Sequence, residues 1–222
     1  MVEAQNRVST LRLVDTLAEQ TALENMLEAS KPPLPLDCIG LHWLLATPFR
    51  YPAPPPIGSR FRAIGDPGVW YCATALRTAF AEVGYWRQRF LLDSPSTPDL
   101  PPVAHTAFRA SIGGNGVVLF EPPFARDSAK WESPNDYSAT QALAQTARTA
   151  EIAIIRYRSV RDPQHSPAFA VLTPRAFRKH EPIEQHGWLL KVTRASVLAQ
   201  AGIGAERYEF TSEELGSRER RT

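Results

Sequence analysis

Proline placement sets the outline of this chain. Of its 222 residues 20 are proline, and two runs, Lys31-Pro32-Pro33-Leu34-Pro35 and Tyr51-Pro52-Ala53-Pro54-Pro55-Pro56, remove backbone donors and force extended geometry. The first run ends a segment, 7–30, in which Leu13, Leu17, Leu23 and Leu27 share one arc of a 3.6-residue helix while Arg12, Glu19 and Glu24 point elsewhere. This predicts an amphipathic helix within an arm over 1–35, docked on the rest of the chain or on a partner. The second run excludes a helix around Arg50 and Tyr51 and predicts an extended loop there.

Downstream, aromatic and β-branched residues at Val69-Trp70-Tyr71-Cys72 predict a short strand feeding a helix that Thr74 caps and that runs to about Arg89. Leu76, Ala79, Phe80 and Val83 give that helix an apolar face, and Thr78 and Glu82 stand one turn apart beside it. The Ser-, Pro- and Asp-rich stretch 92–102 predicts a loop. Strands at 106–111 and 117–120 flank Gly113-Gly114-Asn115-Gly116, which predicts a hairpin turn. A helix at 135–150, a strong strand signal at 152–157 and an apolar strand at 168–172 follow. Helices and strands without regular alternation imply an α+β domain.

Several functions are disfavoured. No apolar run approaches the roughly 20 residues of a membrane-spanning helix, and the amino terminus lacks the uninterrupted apolar core of a signal peptide, so a cytoplasmic location is expected. A formal net charge of +2, with no long basic run, offers no footprint for nucleic acid. Cys38 and Cys72 lack CxxC spacing and are expected to be reduced and partly buried. The five histidines, at 42, 105, 165, 180 and 186, are scattered, so no metal is implied. GxxxxGK[ST], GxSxG and HExxH are absent. The last residues, 213–222, read as a polar tail.

What remains is a distribution of Arg, Tyr, Glu and Ser: PFRYP at 48–52, SRFR at 59–62, VWYCATALRTAFAE at 69–82 and IIRYRSVRDP at 154–163. In this order, over about 40–180, the pieces resemble the RES-domain family of bacterial toxins: an early arginine, a glycine-rich Arg-aromatic element, a strand ending in Tyr, a helix carrying Glu and a serine-bearing segment. Where that family commonly has Gly-Gly-Arg-Trp-Asn, this sequence reads Gly58-Ser59-Arg60-Phe61-Arg62. The resemblance implies an ADP-ribosyltransferase-like α+β catalytic domain over 36–212. It implies cleavage of the nicotinamide–ribose bond of NAD+, with water or inorganic phosphate as acceptor and no resident cofactor. It also implies a helix-turn-helix type antitoxin as partner; homo-oligomers stay open.

The residue types suit that chemistry on their own terms. A fixed carboxylate at Glu82 can stabilise the oxocarbenium-like ribose. Arg50 and Arg60 offer planar charged forks to a diphosphate. Tyr71, and equally Tyr51, can lie against a cationic nicotinamide, and Ser159 can bond the nicotinamide amide or a ribose hydroxyl. Arg62 and Arg161 read as surface salt-bridge residues. ADP-ribosyl transfer to a protein or small molecule, and a non-catalytic binding protein of the same fold, are the alternatives.

Overall fold

In a computed structural model of the chain, residues 2–3, 10, 13–51, 58–202 and 206–217 are described. A two-residue strand β1 (Val2–Glu3) precedes α1 (Leu17–Ala29), where the Thr16 side chain accepts from the Glu19 N–H and Glu19 reaches back to the Thr16 N–H, a capping box. Helix α2 (Trp43–Arg50) and strand β2 (Trp70–Ala73) lead into the long helix α3 (Leu76–Asp93). Next come β3 (Leu100–Arg109), β4 (Gly116–Val118), the single-turn α4 (Ser128–Trp131) and α5 (Ser138–Thr149). Five strands finish the fold: β5 (Ile154–Arg158), β6 (Pro167–Val171), β7 (Glu184–Val192), β8 (Ser196–Gln200) and β9 (Arg207–Thr211).

These strands make two sheets, ordered β1-β3-β7-β8-β9 and β2-β6-β5-β4. The five-stranded sheet is antiparallel throughout, and α3 covers it: Phe80, Ala81 and Tyr85 join Trp188, Leu190, Val197 and Phe210 in one core. The four-stranded sheet has helices on both faces. Ile155, Tyr157, Ala168 and Ala170 meet Ala144 and Ala147 of α5 and Phe61 on one side. On the other, Trp70, Ile154 and Val171 meet Leu45, Ala46 and Phe49 of α2. The period-2 alternation of strand side chains produces this split, and the chain is α+β, as its pattern predicts.

Several local expectations are corrected. Arg50 ends a helix that contains Pro48; a proline at this position leaves the Leu44 carbonyl without its helical donor, and the Trp70 indole N–H takes its place at 3.3 Å. The loop residues 52–57 and part of the tail, 218–222, lie outside the described residues, as do 7–9, 11 and 12 of the arm. Thr74 does not cap α3: the cap residue is Ala75, with no side-chain bond, and the Thr74 hydroxyl donates to the Pro167 carbonyl. The glycine-rich stretch 113–116 joins no hairpin, because β3 and β4 belong to different sheets and β4 runs parallel to β5. Of the arm's apolar arc, Leu13, Leu17 and Leu27 are exposed, Leu17 to 79%, and Leu23 is half-buried.

Candidate active site

Glu82 sits on α3 with its carboxylate turned toward the β5–β6 connection. Ser159 Oγ donates to Glu82 Oε1 at 2.6 Å and accepts from the N–H groups of Arg161 (3.2 Å) and Asp162 (3.1 Å). Its one proton is thus directed at Glu82, and its oxygen takes two backbone donors. One turn earlier on α3, Thr78 donates to Asp162 Oδ2 at 2.8 Å, and Arg77 pairs with the same carboxylate. The i, i+4 pair Thr78 and Glu82 therefore grips the 159–162 loop at two points. Asp162 is fully buried: burial raises its pKa, but hydrogen bonds from Thr78, Gln164 and Ser166 and the Arg77 charge hold it below the usual carboxylate range.

Glu82 shows the opposite balance. Burial raises its pKa above the ordinary value and Asp162 adds to the rise, while the Ser159 hydrogen bond and the charges of Arg60 and Arg161 oppose it. Nearby, Tyr157 is pushed far above the ordinary tyrosine value by burial and by the Glu82 charge, so it stays a neutral phenol.

A cavity of about 810 Å³, lined by residues of both sheets, opens at Glu82. Tyr71, Arg60, Tyr137, Tyr157 and Arg161 line it with Glu82. Tyr71 alternates with the core residue Trp70 along β2, which turns its ring to the cavity. Its hydroxyl accepts from the Phe61 N–H at 3.0 Å and shares a hydrogen bond of 2.8 Å with Ser59 Oγ; burial raises its pKa. Tyr71 thereby pins the tight turn 58–62 that carries Arg60. Gly58 enters that turn at φ +71°, where a Cβ would stand 2.2 Å from the Arg62 carbonyl oxygen, so only glycine fits. Ser59 supplies the hydroxyl that Tyr71 meets.

Arg60 is 8% exposed. Its Nη1 donates to the carbonyls of Trp131 (3.0 Å) and Ser133 (2.9 Å), and its guanidinium lies 4.8 Å over the Tyr137 ring. Arg161, expected at the surface, is 3% exposed. Its guanidinium sits 3.6 Å over the Tyr85 ring and bonds the Pro134 carbonyl. Arg62 is buried as well and donates to the carbonyls of Tyr51 and Asp66. Neither is a surface salt-bridge residue.

The structure thus brings Glu82, Tyr71, Arg60 and Ser159 together. Ser159 is fully buried and reaches the cavity through Glu82 rather than lining it. It does not bring in Arg50, whose Nη1 lies 2.6 Å from Glu28 Oε1 and whose Nε donates to the Pro32 carbonyl; this arginine fastens the arm. Tyr51 is likewise not among the lining residues. Sequence reasoning missed Arg161, Tyr137, Tyr157 and Asp162. The period-2 pattern of Ile155 and Tyr157 was the available signal for Tyr157.

Cys38 and Cys72 are free, and burial pushes the Cys72 thiol up to about 12, which leaves it a poor nucleophile. Among the described residues no group of three or more His, Cys, Asp or Glu could hold a metal ion, and no helix is long and apolar enough to cross a membrane. The family model described as RES domain matches residues 35–192, more than half of the chain. No curated protein matches the chain in sequence.

Proposed function

The chain belongs to the RES domain family, which ties it at family level to toxin–antitoxin systems and NAD-related chemistry, and on that premise we propose that its cavity binds NAD+ and breaks the nicotinamide–ribose bond. The observation that carries this reading is the Glu82–Ser159 hydrogen bond at the wall of an aromatic, arginine-flanked cavity.

The C–N bond breaks with its electron pair passing to the nicotinamide nitrogen, which neutralises the pyridinium. The positive charge moves to the ribose, where the Glu82 carboxylate stabilises it. Ser159, through its single directed proton, fixes which oxygen of Glu82 faces the cavity; it is a positioning residue. Tyr71 lies against the cationic nicotinamide, an attraction worth about 0.5–2 kcal/mol that the neutral leaving group no longer feels. Arg60 and Arg161 favour the ionised form of Glu82 and present charge to the neighbouring phosphate. Water then captures the ribose and loses a proton, or inorganic phosphate captures it directly.

Incubating the purified protein with NAD+, with and without phosphate, and identifying the ribose product by NMR tests this. ADP-ribose alone marks hydrolysis, and an ADP-ribose phosphoester formed only with phosphate marks phosphorolysis. NAD+ left intact by folded protein rejects the reading. As a toxin the chain would be restrained by an antitoxin, and a partner segment ending in a carboxylate could occupy the cavity beside Arg60.

A further inference from the structure

The cavity extends beyond the groups that the proposed chemistry uses. Trp86 lies four residues after Glu82 on α3, one turn and about 6 Å farther along the helix axis. It lines the cavity yet is 47% exposed. An indole face left open on a concave wall is apolar surface that a flat ligand would cover. The ring is braced edge-on by Tyr85, with centroids 5.1 Å apart and planes at 82°, and Tyr85 itself lies under the Arg161 guanidinium. One chain of contacts therefore runs from the Glu82 neighbourhood to Trp86 and holds the indole in orientation.

The same stretch of wall carries two guanidinium groups and a carboxylate. Arg87 follows Trp86 on α3, and Arg109 of β3, which also lines the cavity, pairs with Glu184 of β7, whose other oxygen lies 3.7 Å from His186 Nε2. Guanidinium groups beside an open aromatic face match a base joined to phosphates: the π-face stacks and the charged forks meet phosphate oxygens. The volume of about 810 Å³ lies in the upper part of the range of about 300–1,000 Å³ typical for ligands of drug size. That leaves room for more than the nicotinamide end of a dinucleotide.

We propose that Trp86, with Arg87 and Arg109, forms a stacking subsite for the purine nucleoside diphosphate end of the substrate. This rests on the reading of the cavity as an NAD+ site, and the test separates the two. ADP is titrated calorimetrically into the wild type, Trp86→Ala and Trp86→Phe, and NAD+ cleavage is measured alongside. ADP binding should weaken about tenfold or more in Trp86→Ala, as expected for loss of one base–aromatic stack, and be largely kept by Trp86→Phe. Because Trp86 is half exposed, both variants should keep the wild-type melting temperature within a few degrees. Failure of the wild type to bind ADP at millimolar concentration, or equal ADP affinity in Trp86→Ala, overturns the subsite. Trp86-dependent ADP binding by a protein that leaves NAD+ intact supports the subsite and rejects the cleavage reading instead.

Discussion

At the scale of single residues, Glu82 is held between two demands. Burial favours its neutral form, whereas the proposed chemistry needs its charge, and Arg60 and Arg161 restore part of the balance. Activity that needs the ionised form should rise with pH through the raised pKa. In a profile of kcat/KM, which reports the free protein, the acid limb should lie above the ordinary glutamate value of about 4.3. In kcat it should move to lower pH, because a cationic nicotinamide in the cavity favours the carboxylate. A limb in the ordinary range in both profiles would remove this account of Glu82. The sign for stability is the reverse: a raised folded-state pKa means that stability is present at low pH and lost as pH climbs through that pKa. Glu82→Gln should therefore melt at least as high as the wild type at pH 8, with the gain shrinking toward pH 4, as calorimetry would show. The arginines give a sharper contrast. Arg161→Ala should lower kcat/KM about ten- to a hundredfold, the size of a lost charge-assisted contact, and Arg50→Ala by less than about threefold, because Arg50 holds the arm and not the cavity. Equal losses would mean that the arm shapes the site. Sequence motifs made Glu82, Tyr71 and Arg60 legible. They could not reveal Arg161, since an arginine two residues past a loop serine reads as exposed until the loop is seen folded onto α3.

At the scale of elements, the proline run predicts an extended loop where α2 ends, and the loop predicted over 92–102 holds the end of α3 and the start of β3. By contrast, β2, α3, α5, β5 and β6 were legible, because the 3.6-residue and period-2 patterns are local. Their partners were not. The 113–116 stretch has the composition of a hairpin turn, yet long-range pairing of β4 with β5 decides its path. Strands β7 to β9 went unread although Trp188, Leu190 and Val192 alternate inward along β7. They turn through Thr193 to Ser196, where a threonine hydroxyl accepting two N–H groups does the work of a glycine. The closeness of α3 to β8 gives a test at this scale. At Gly84 an added Cβ would lie 2.7 Å from Cγ1 of Val197, a stiff and fully buried side chain. Alanine gains about 1 kcal/mol in helix propensity, but overpacking costs about 1–3 kcal/mol. Gly84→Ala should then lower the melting temperature by a few degrees; a rise would show that α3 can shift on its sheet without penalty.

At the scale of the whole molecule, two sheets with separate cores meet at one cavity, and α3 serves both: its Phe80 face closes the five-stranded sheet while Glu82 reaches the loop after β5. The family match ends at 192, but Val197 of β8 and Phe210 of β9 are fully buried beneath α3, so the helix that carries Glu82 depends on strands beyond the matched segment. The central claim is that this arrangement makes Glu82 the group that stabilises the ribose cation. The rate of nicotinamide release from NAD+ by the wild type and by Glu82→Gln, each shown to be folded by its melting transition, tests it most directly. Release by the wild type with a loss of about a hundredfold or more in Glu82→Gln, the order of effect seen when one preorganised charge-stabilising group is removed, is the predicted result. Equal rates in the two proteins, or no release by the wild type, would contradict it.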